Sequence, residues 1–443
     1  MAQLIYVCFR DNILNDSFKD LVNYEYDHQI KVSKPHFALK EFDKVSQLIE
    51  ICNDMKKMYQ KDNATISVPL FRLALEQLRV LNRIFENRTN WMIPLLYQSG
   101  EQLYDIANTL DAHKEQSGGR LQNDEEEESF LIQAGRVIHM TLNTCFKDRN
   151  ENELENKKIG VFYFATLLFK LYYRIQAYGL LSNMCKVFES RLNEIDPYIR
   201  KVDNDLIIIR FKYYMGLYYG YEKNNYQLGH QWLNEAFDIC RRYETIKDTH
   251  TVRTRVLLYL IPMKLMHTRQ YPRLQVLQRT YRKLSNFYKP LITSICTGNL
   301  HEYDTFMREN ELFLVSRNLH VTILKLRELV ELKLVKVAWS CNGATTKVPL
   351  DIVARAFAFA SGSRDKNRKK TDAGSSKNGN SVDDGDGDSS AADDLDELEC
   401  ILATLIAKNY IKGYLSHTHR VMMTSKAPFP NLVKSGVTGI SRG

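Results

Sequence analysis

Long apolar runs are missing from this chain of 443 residues. The longest candidates, near Leu257–Pro262 and Leu206–Ile209, fall far short of the ~18 apolar residues that a helical membrane span requires. Glycine (20) and proline (10) are scarce, which argues against a turn-dense all-β architecture. The eight cysteines (Cys8, Cys52, Cys145, Cys185, Cys240, Cys296, Cys341 and Cys400) are scattered without a Cys-x-x-Cys pair. That excludes the common zinc spacings and points to reduced, mostly buried thiols. Catalytic signatures are absent as well. There is no phosphate-cradling glycine loop, no dinucleotide fingerprint, no His-Glu-x-x-His and no nucleophile elbow. His417 and His419 read as the tip of a hairpin rather than as ligands, and nothing in the pattern asks for a metal or a cofactor. The apolar start, Met1–Phe9, lacks a charged leader and a small-residue cleavage site, and reads as the first turns of a helix.

What is present is helical. From Pro69 to Ile84 apolar residues recur at three- and four-residue spacing (Leu70, Leu73, Leu75, Leu78, Leu81, Ile84), which makes one face of an amphipathic helix. Similar patterns predict helices over Trp91–Leu110, Phe130–Cys145, Val161–Tyr178 and Met184–Leu192. A polar, acidic stretch over 115–128 separates two of them and reads as an exposed loop. In the middle, Phe211–Gly220 and Tyr226–Phe237 flank a short Lys-Asn-Asn turn. Small and aromatic residues at helical spacing give this pair the logic of a tetratricopeptide-like repeat. Arg253–Met266 and Leu274–Tyr288 continue it, with a break at Tyr271-Pro272.

The character changes after Asn318. A helix over Leu319–Val337, a polar turn, and a second helix over Leu350–Phe359 are expected. A low-complexity run over 361–392 follows, with almost nothing to bury, and is expected to be disordered. A third helix starts near Asp393, where aspartates suit the positive end of the helix dipole. Two alternating segments, Tyr410–Ser416 and Arg420–Ser425, read as a β-hairpin joined by His417-Thr-His419. Three helices and a hairpin make the order of a winged helix. The predicted fold is mainly α: a right-handed, tetratricopeptide-like helical-repeat solenoid followed by a C-terminal winged helix. The expected divisions are 1–205 for N-terminal repeats, 206–318 for the second helical part, 319–360 with 393–430 for the winged helix, and 431–443 for a flexible tail.

Several segments together resemble the PCI-domain family of scaffold subunits. They are Asp148-Arg149 with Lys157-Lys-Ile-Gly160 and Leu168–Tyr173, then Leu258-Tyr-Leu-Ile-Pro262, Thr297-Gly298-Asn299-Leu300 and the helix from Leu319. The ending is the most specific: Glu399–Ile406, then Ile411-Lys-Gly413-Tyr414-Leu-Ser-His417, then Ser425-Lys-Ala-Pro428-Phe429-Pro430. The similarity runs from about residue 130 to 430. It is to the branch that holds signalosome subunit twelve and the PCI subunit of the TREX-type mRNA-export complex. The Tyr213–Gly220 segment sides with the subunit-twelve group. Ile159 stands where the family often has tryptophan, and the stretch before residue 120 shows little that matches the family.

The resemblance implies a non-catalytic scaffold subunit of a signalosome-type complex, active in cullin deneddylation and linked to transcription-coupled mRNA processing. Its implied partners are a second PCI protein, a small acidic and mostly unfolded subunit, other signalosome subunits, and RNA or DNA, with no membrane. The implied location is nucleus and cytoplasm. The alternative is the PCI subunit of a nuclear mRNA-export complex, with RNA or DNA on its winged helix.

Charge suggests where such partners meet the chain. The formal net charge of +8 is unevenly spread. Arg241–Pro290 holds 12 Lys/Arg against two acids, and Ile401–Gly443 holds six with no acid. The candidate phosphate-binding residues are therefore Lys408, Lys412, Arg420 and Lys426 on the winged helix, and Arg253, Arg255 and Lys264 on the repeats.

Overall fold

The computed structural model describes residues 2–26, 29–35, 37, 39–61, 65–116, 128–242, 247–362 and 387–430. Most of the acidic stretch over 115–128, most of the low-complexity run and the 431–443 tail lie outside these residues. No helix among the described residues is long and apolar enough to cross a membrane. The chain forms two compact units, Met1–Met215 and Gly216–Gly443.

The first unit is all helix: α1 (Ala2–Asp11), α2 (Asp16–Val22), α3 (Phe42–Lys61), α4 (Val68–Phe85), α5 (Ile93–Gln116), α6 (Phe130–Lys147), α7 (Gly160–Arg174), α8 (Tyr178–Ile199) and most of α9 (Asp205–Leu217). From α3 onward each helix packs on the next as far as α8, the arrangement of a helical-repeat array. The expected aromatic core is present: Phe162, Phe169, Phe188 and Phe211 pack with ring centroids 5.1–6.3 Å apart. Asp111 of α5 ties down the start of α6. Its carboxylate accepts from the Ser129 hydroxyl (2.6 Å) and from the backbone N–H groups of Phe130 (3.1 Å) and Leu131 (2.9 Å). Those N–H groups would otherwise lack helical partners. The helix expected over Val161–Tyr178 ends early, at Arg174, and Gln176 turns at a positive φ of 56° before α8 begins.

The second unit opens where α9 meets α10 (Tyr226–Arg241), inside α9 rather than at the expected 205/206 division. The reason is local: Gly216 faces Leu233 of α10 so closely that a Cβ would lie 2.7 Å from its Cγ. A π-helical turn, Tyr218–Glu222, follows α9. Gly229 of α10 then lies against the Gly220 backbone, where a Cβ would sit 2.6 Å from the Gly220 Cα. The array continues through α11 (Lys247–Thr268), α12 (Leu274–Thr280), α13 (Arg282–Thr297), α14 (Leu300–Ser316) and α15 (His320–Lys325). The single helix expected over Leu274–Tyr288 is two, broken at Tyr281.

A winged helix closes the chain: α16 (Arg327–Cys341), β1 (Lys347–Pro349), α17 (Leu350–Ala360), α18 (Gly387–Ala407), β2 (Gly413–Ser416) and β3 (Val421–Thr424). Its sheet is antiparallel in the order β1-β3-β2. Leu332, Val335, Val348, Leu350, Leu402, Leu405 and Met422 fill the core beneath it. Three details differ from the sequence reading. The first helix is split at Leu326 into α15 and α16. Strand β1 replaces part of what reads as a plain turn, because only pairing with β3 makes three residues a strand. Helix α18 starts at Gly387, so residues 387–392 are helical and do not belong to the expected disordered run.

Candidate nucleic-acid interface and family motifs

The family-like motifs are structural joints. The Asp148 carboxylate accepts from the backbone N–H of Lys157 at 2.6 Å and closes the loop between α6 and α7. Lys157 is buried; its ammonium donates to the Glu86 carbonyl at 3.0 Å and lies over the Phe85 ring, so burial lowers its pKa. Gly160 starts α7 where a Cβ would sit 2.7 Å from the Cys145 sulfur. Arg149 is exposed beside this joint.

Pro262 lies inside α11 and cannot donate to the Leu258 carbonyl four residues back. The Tyr288 hydroxyl of α13 donates to that carbonyl instead, at 2.5 Å. At the end of α13, Gly298 takes the left-handed conformation (φ 81°) and lies against the backbone of Leu334. Asn299 then caps α14 by accepting from the Glu302 N–H at 3.1 Å.

In the ending motif, Gly413 opens β2 and Tyr414 stands 63% exposed. The Lys412 N–H donates to the Pro428 carbonyl at 2.7 Å and brings the tail back across the sheet. Phe429 then packs edge-on against Trp339 of α16, with centroids 5.5 Å apart, and under the ammonium of Lys336. Pro430 is half-buried beside it.

The seven basic candidates fare differently from one another. Lys408 is held in an ion pair with Glu328 of α16. Arg420 sits at a positive φ of 48° in the hairpin turn and bonds Asp396 (3.0 Å) and Glu399 (2.9 Å) of α18. His417 Nδ1 lies 2.7 Å from Glu399 as well. Asp396, Glu399 and His417 form the one group of metal-type ligands found among the described residues, and Arg420 already neutralises its carboxylates. Arg253 is 6% exposed, inside the repeat array, so it does not join a surface strip. Lys264 is half-buried and Arg255 exposed.

Lys412 and Lys426 remain exposed. The strand register adds a residue that composition alone did not single out. Lys347 of β1, Met423 of β3 and Tyr414 of β2 are cross-strand neighbours, with Lys412 two residues from Tyr414 on the same face. Lys347 lies outside both basic blocks, and its place in line with Tyr414, across Met423 of the central strand, depends on strand pairing.

A stack of helical repeats ended by a winged helix is the build of a PCI-type scaffold module. The chain is 62% identical over 98% of its length, and 99% of the relative's, to COP9 signalosome complex subunit 12 of Kluyveromyces lactis. It is 30% identical over 96% of its length, and 98% of the relative's, to Cop9 signalosome complex subunit 12 of Saccharomyces cerevisiae. It is also 28% identical to the PCI domain-containing protein 2 homolog of Caenorhabditis elegans, over 79% of the chain and 73% of the relative. No family model matches. The chain belongs to the COP9 signalosome subunit 12 family.

Proposed function

We propose that the chain is a non-catalytic scaffold subunit of a signalosome-type complex acting in cullin deneddylation and linked to transcription-coupled mRNA processing, in nucleus and cytoplasm. Its kinship along nearly the whole chain to proteins named as signalosome subunits carries this reading. The winged helix supports it. Strands β1 and β2 are the outer strands of the sheet, and Phe429 packs the tail against Trp339 of α16. In this reading a second PCI protein pairs alongside that module, and a small acidic subunit follows the basic helices and orders as it binds. Affinity purification with mass spectrometry tests it: signalosome subunits and a PCI partner are expected. Recovery of mRNA-export components in their place would select the alternative assembly, and the absence of any PCI partner would overturn the scaffold reading.

The exposed face with Lys347, Tyr414 and Lys412, with Lys426 beyond it, supports a second role in holding RNA or DNA. Lys412→Gln with Lys426→Gln is expected to weaken RNA binding and to lower the salt slope by about 0.7 per lost contact to a single strand. An unchanged slope would remove the wing from this role.

A further inference from the structure

A second basic surface lies outside the winged helix, on α12 and α13. Arg279, Arg282, Lys283 and Lys289 are all exposed there, and none has an ion-pair partner among the described residues. Arg282, Asn286 and Lys289 follow helical spacing and share the solvent face of α13. Arg279 and Lys283 flank the break at Tyr281 between the two helices. On the wing, Lys408 and Arg420 are already neutralised by Glu328, Asp396 and Glu399. Beside the exposed Lys412 and Lys426 of the wing, the α12–α13 corner therefore gathers four exposed cations that carry no ion pair among the described residues.

The same corner holds an aromatic plane. The exposed His250 of α11 stacks on Tyr281, with ring centroids 5.1 Å apart and planes 26° from parallel. His250 Nε2 lies 3.3 Å from the Thr280 carbonyl, which fixes the ring at the end of α12.

We infer that this corner is a binding site for single-stranded polynucleotide, distinct from the wing. Two arginines offer forked donors to phosphate oxygens, two lysines add point charges, and the His250–Tyr281 stack offers a platform to an unstacked base. The platform favours a single strand over a duplex, whose bases are already stacked. It also favours polynucleotide over an acidic peptide, which would neutralise the same cations without needing a ring. The inference rests on the polynucleotide role proposed above but not on the wing.

Fluorescence anisotropy on the full chain tests it. The probes are labelled oligo-U and oligo-dT of about 15 nucleotides and a glutamate-rich peptide of similar length, titrated between about 50 and 200 mM salt. Arg279→Gln with Arg282→Gln and Lys283→Gln is expected to weaken oligonucleotide binding at least tenfold at low salt. It should also flatten the salt dependence by about two units of slope. Arg282→Gln alone should flatten it by about 0.7 and serves if the triple variant fails to fold. His250→Ala should cost about fivefold or more with the slope unchanged, because stacking releases no counterions. Comparison of the two oligonucleotides separates RNA from DNA preference.

Three results would overturn the inference: no binding by the wild type, wild-type affinity and slope in the Arg/Lys variants, or tighter binding of the peptide than of either oligonucleotide. Losses confined to Lys412→Gln with Lys426→Gln would overturn this site while leaving the polynucleotide role with the wing.

Discussion

Pro262 and Tyr288 show how a single residue reshapes its surroundings. A proline within a helix leaves one carbonyl without its donor, and here a hydroxyl from the next helix takes the place of the missing N–H. Tyr288→Phe should therefore strand a buried acceptor and cost about 1–3 kcal/mol. Pro262→Ala restores the missing donor, so the double variant should recover part of that loss. Chemical denaturation of the two single variants and the double checks this, and strictly additive losses would contradict it. Gly298 is a second case. At φ 81° and against the Leu334 backbone, Gly298→Ala should cost at least about 1–2 kcal/mol from its left-handed backbone alone. Proline 262 and glycine 298 stand out in the sequence as motif positions; the groups they serve, a hydroxyl 26 residues on and a backbone 36 residues on, do not. A motif records which residue is required, and only packing shows what requires it.

At the scale of elements, the pairing of α10 with α11 carries a pH dependence. His230 and His267 face each other across it with centroids 5.5 Å apart, and His230 Nε2 and His267 Nδ1 are buried without a hydrogen-bond partner among the described residues. Burial lowers both pKa values; the neighbouring imidazole and Lys264 add to the effect at His230, and Arg269 at His267. The unfolded chain therefore binds protons more readily than the folded one. The stability that this pairing contributes is full above an ordinary histidine pKa of about 6.5 and declines as the pH falls below it. Urea unfolding between neutral and mildly acid pH should show that decline, and His230→Gln with His267→Asn should flatten it. A profile identical to the wild type's would show that other groups are responsible. The winged helix has its own joint at Phe429. Phe429→Ala should cost about 2 kcal/mol, less than a fully buried phenylalanine because the ring is only half covered. It should also shift Trp339 fluorescence toward that of an exposed indole.

Across the whole molecule, the chain's own pattern settled a good deal. Periodic apolar residues fixed the mainly helical class, because a buried face repeats every turn regardless of what covers it. The order of helices and hairpin fixed the winged-helix ending, and the uneven placement of charge fixed which blocks are basic. Tertiary structure decided the short and the paired features. β1 exists as a strand because β3 lies beside it, the helix over 319–337 breaks at Leu326, and α18 begins at Gly387. Above all it decided which cations are free. Lys408 and Arg420 look like phosphate ligands in a block without acids, yet folding brings Glu328, 80 residues away, to Lys408, and the hairpin returns Arg420 to Asp396 and Glu399 on the preceding helix. Arg279, Arg282 and Lys283 keep their exposure. Net charge along a chain is a sum over neighbours in sequence, whereas electrostatic attraction falls with distance in space. That is why the basic blocks were legible from the sequence and their available charges only from the fold.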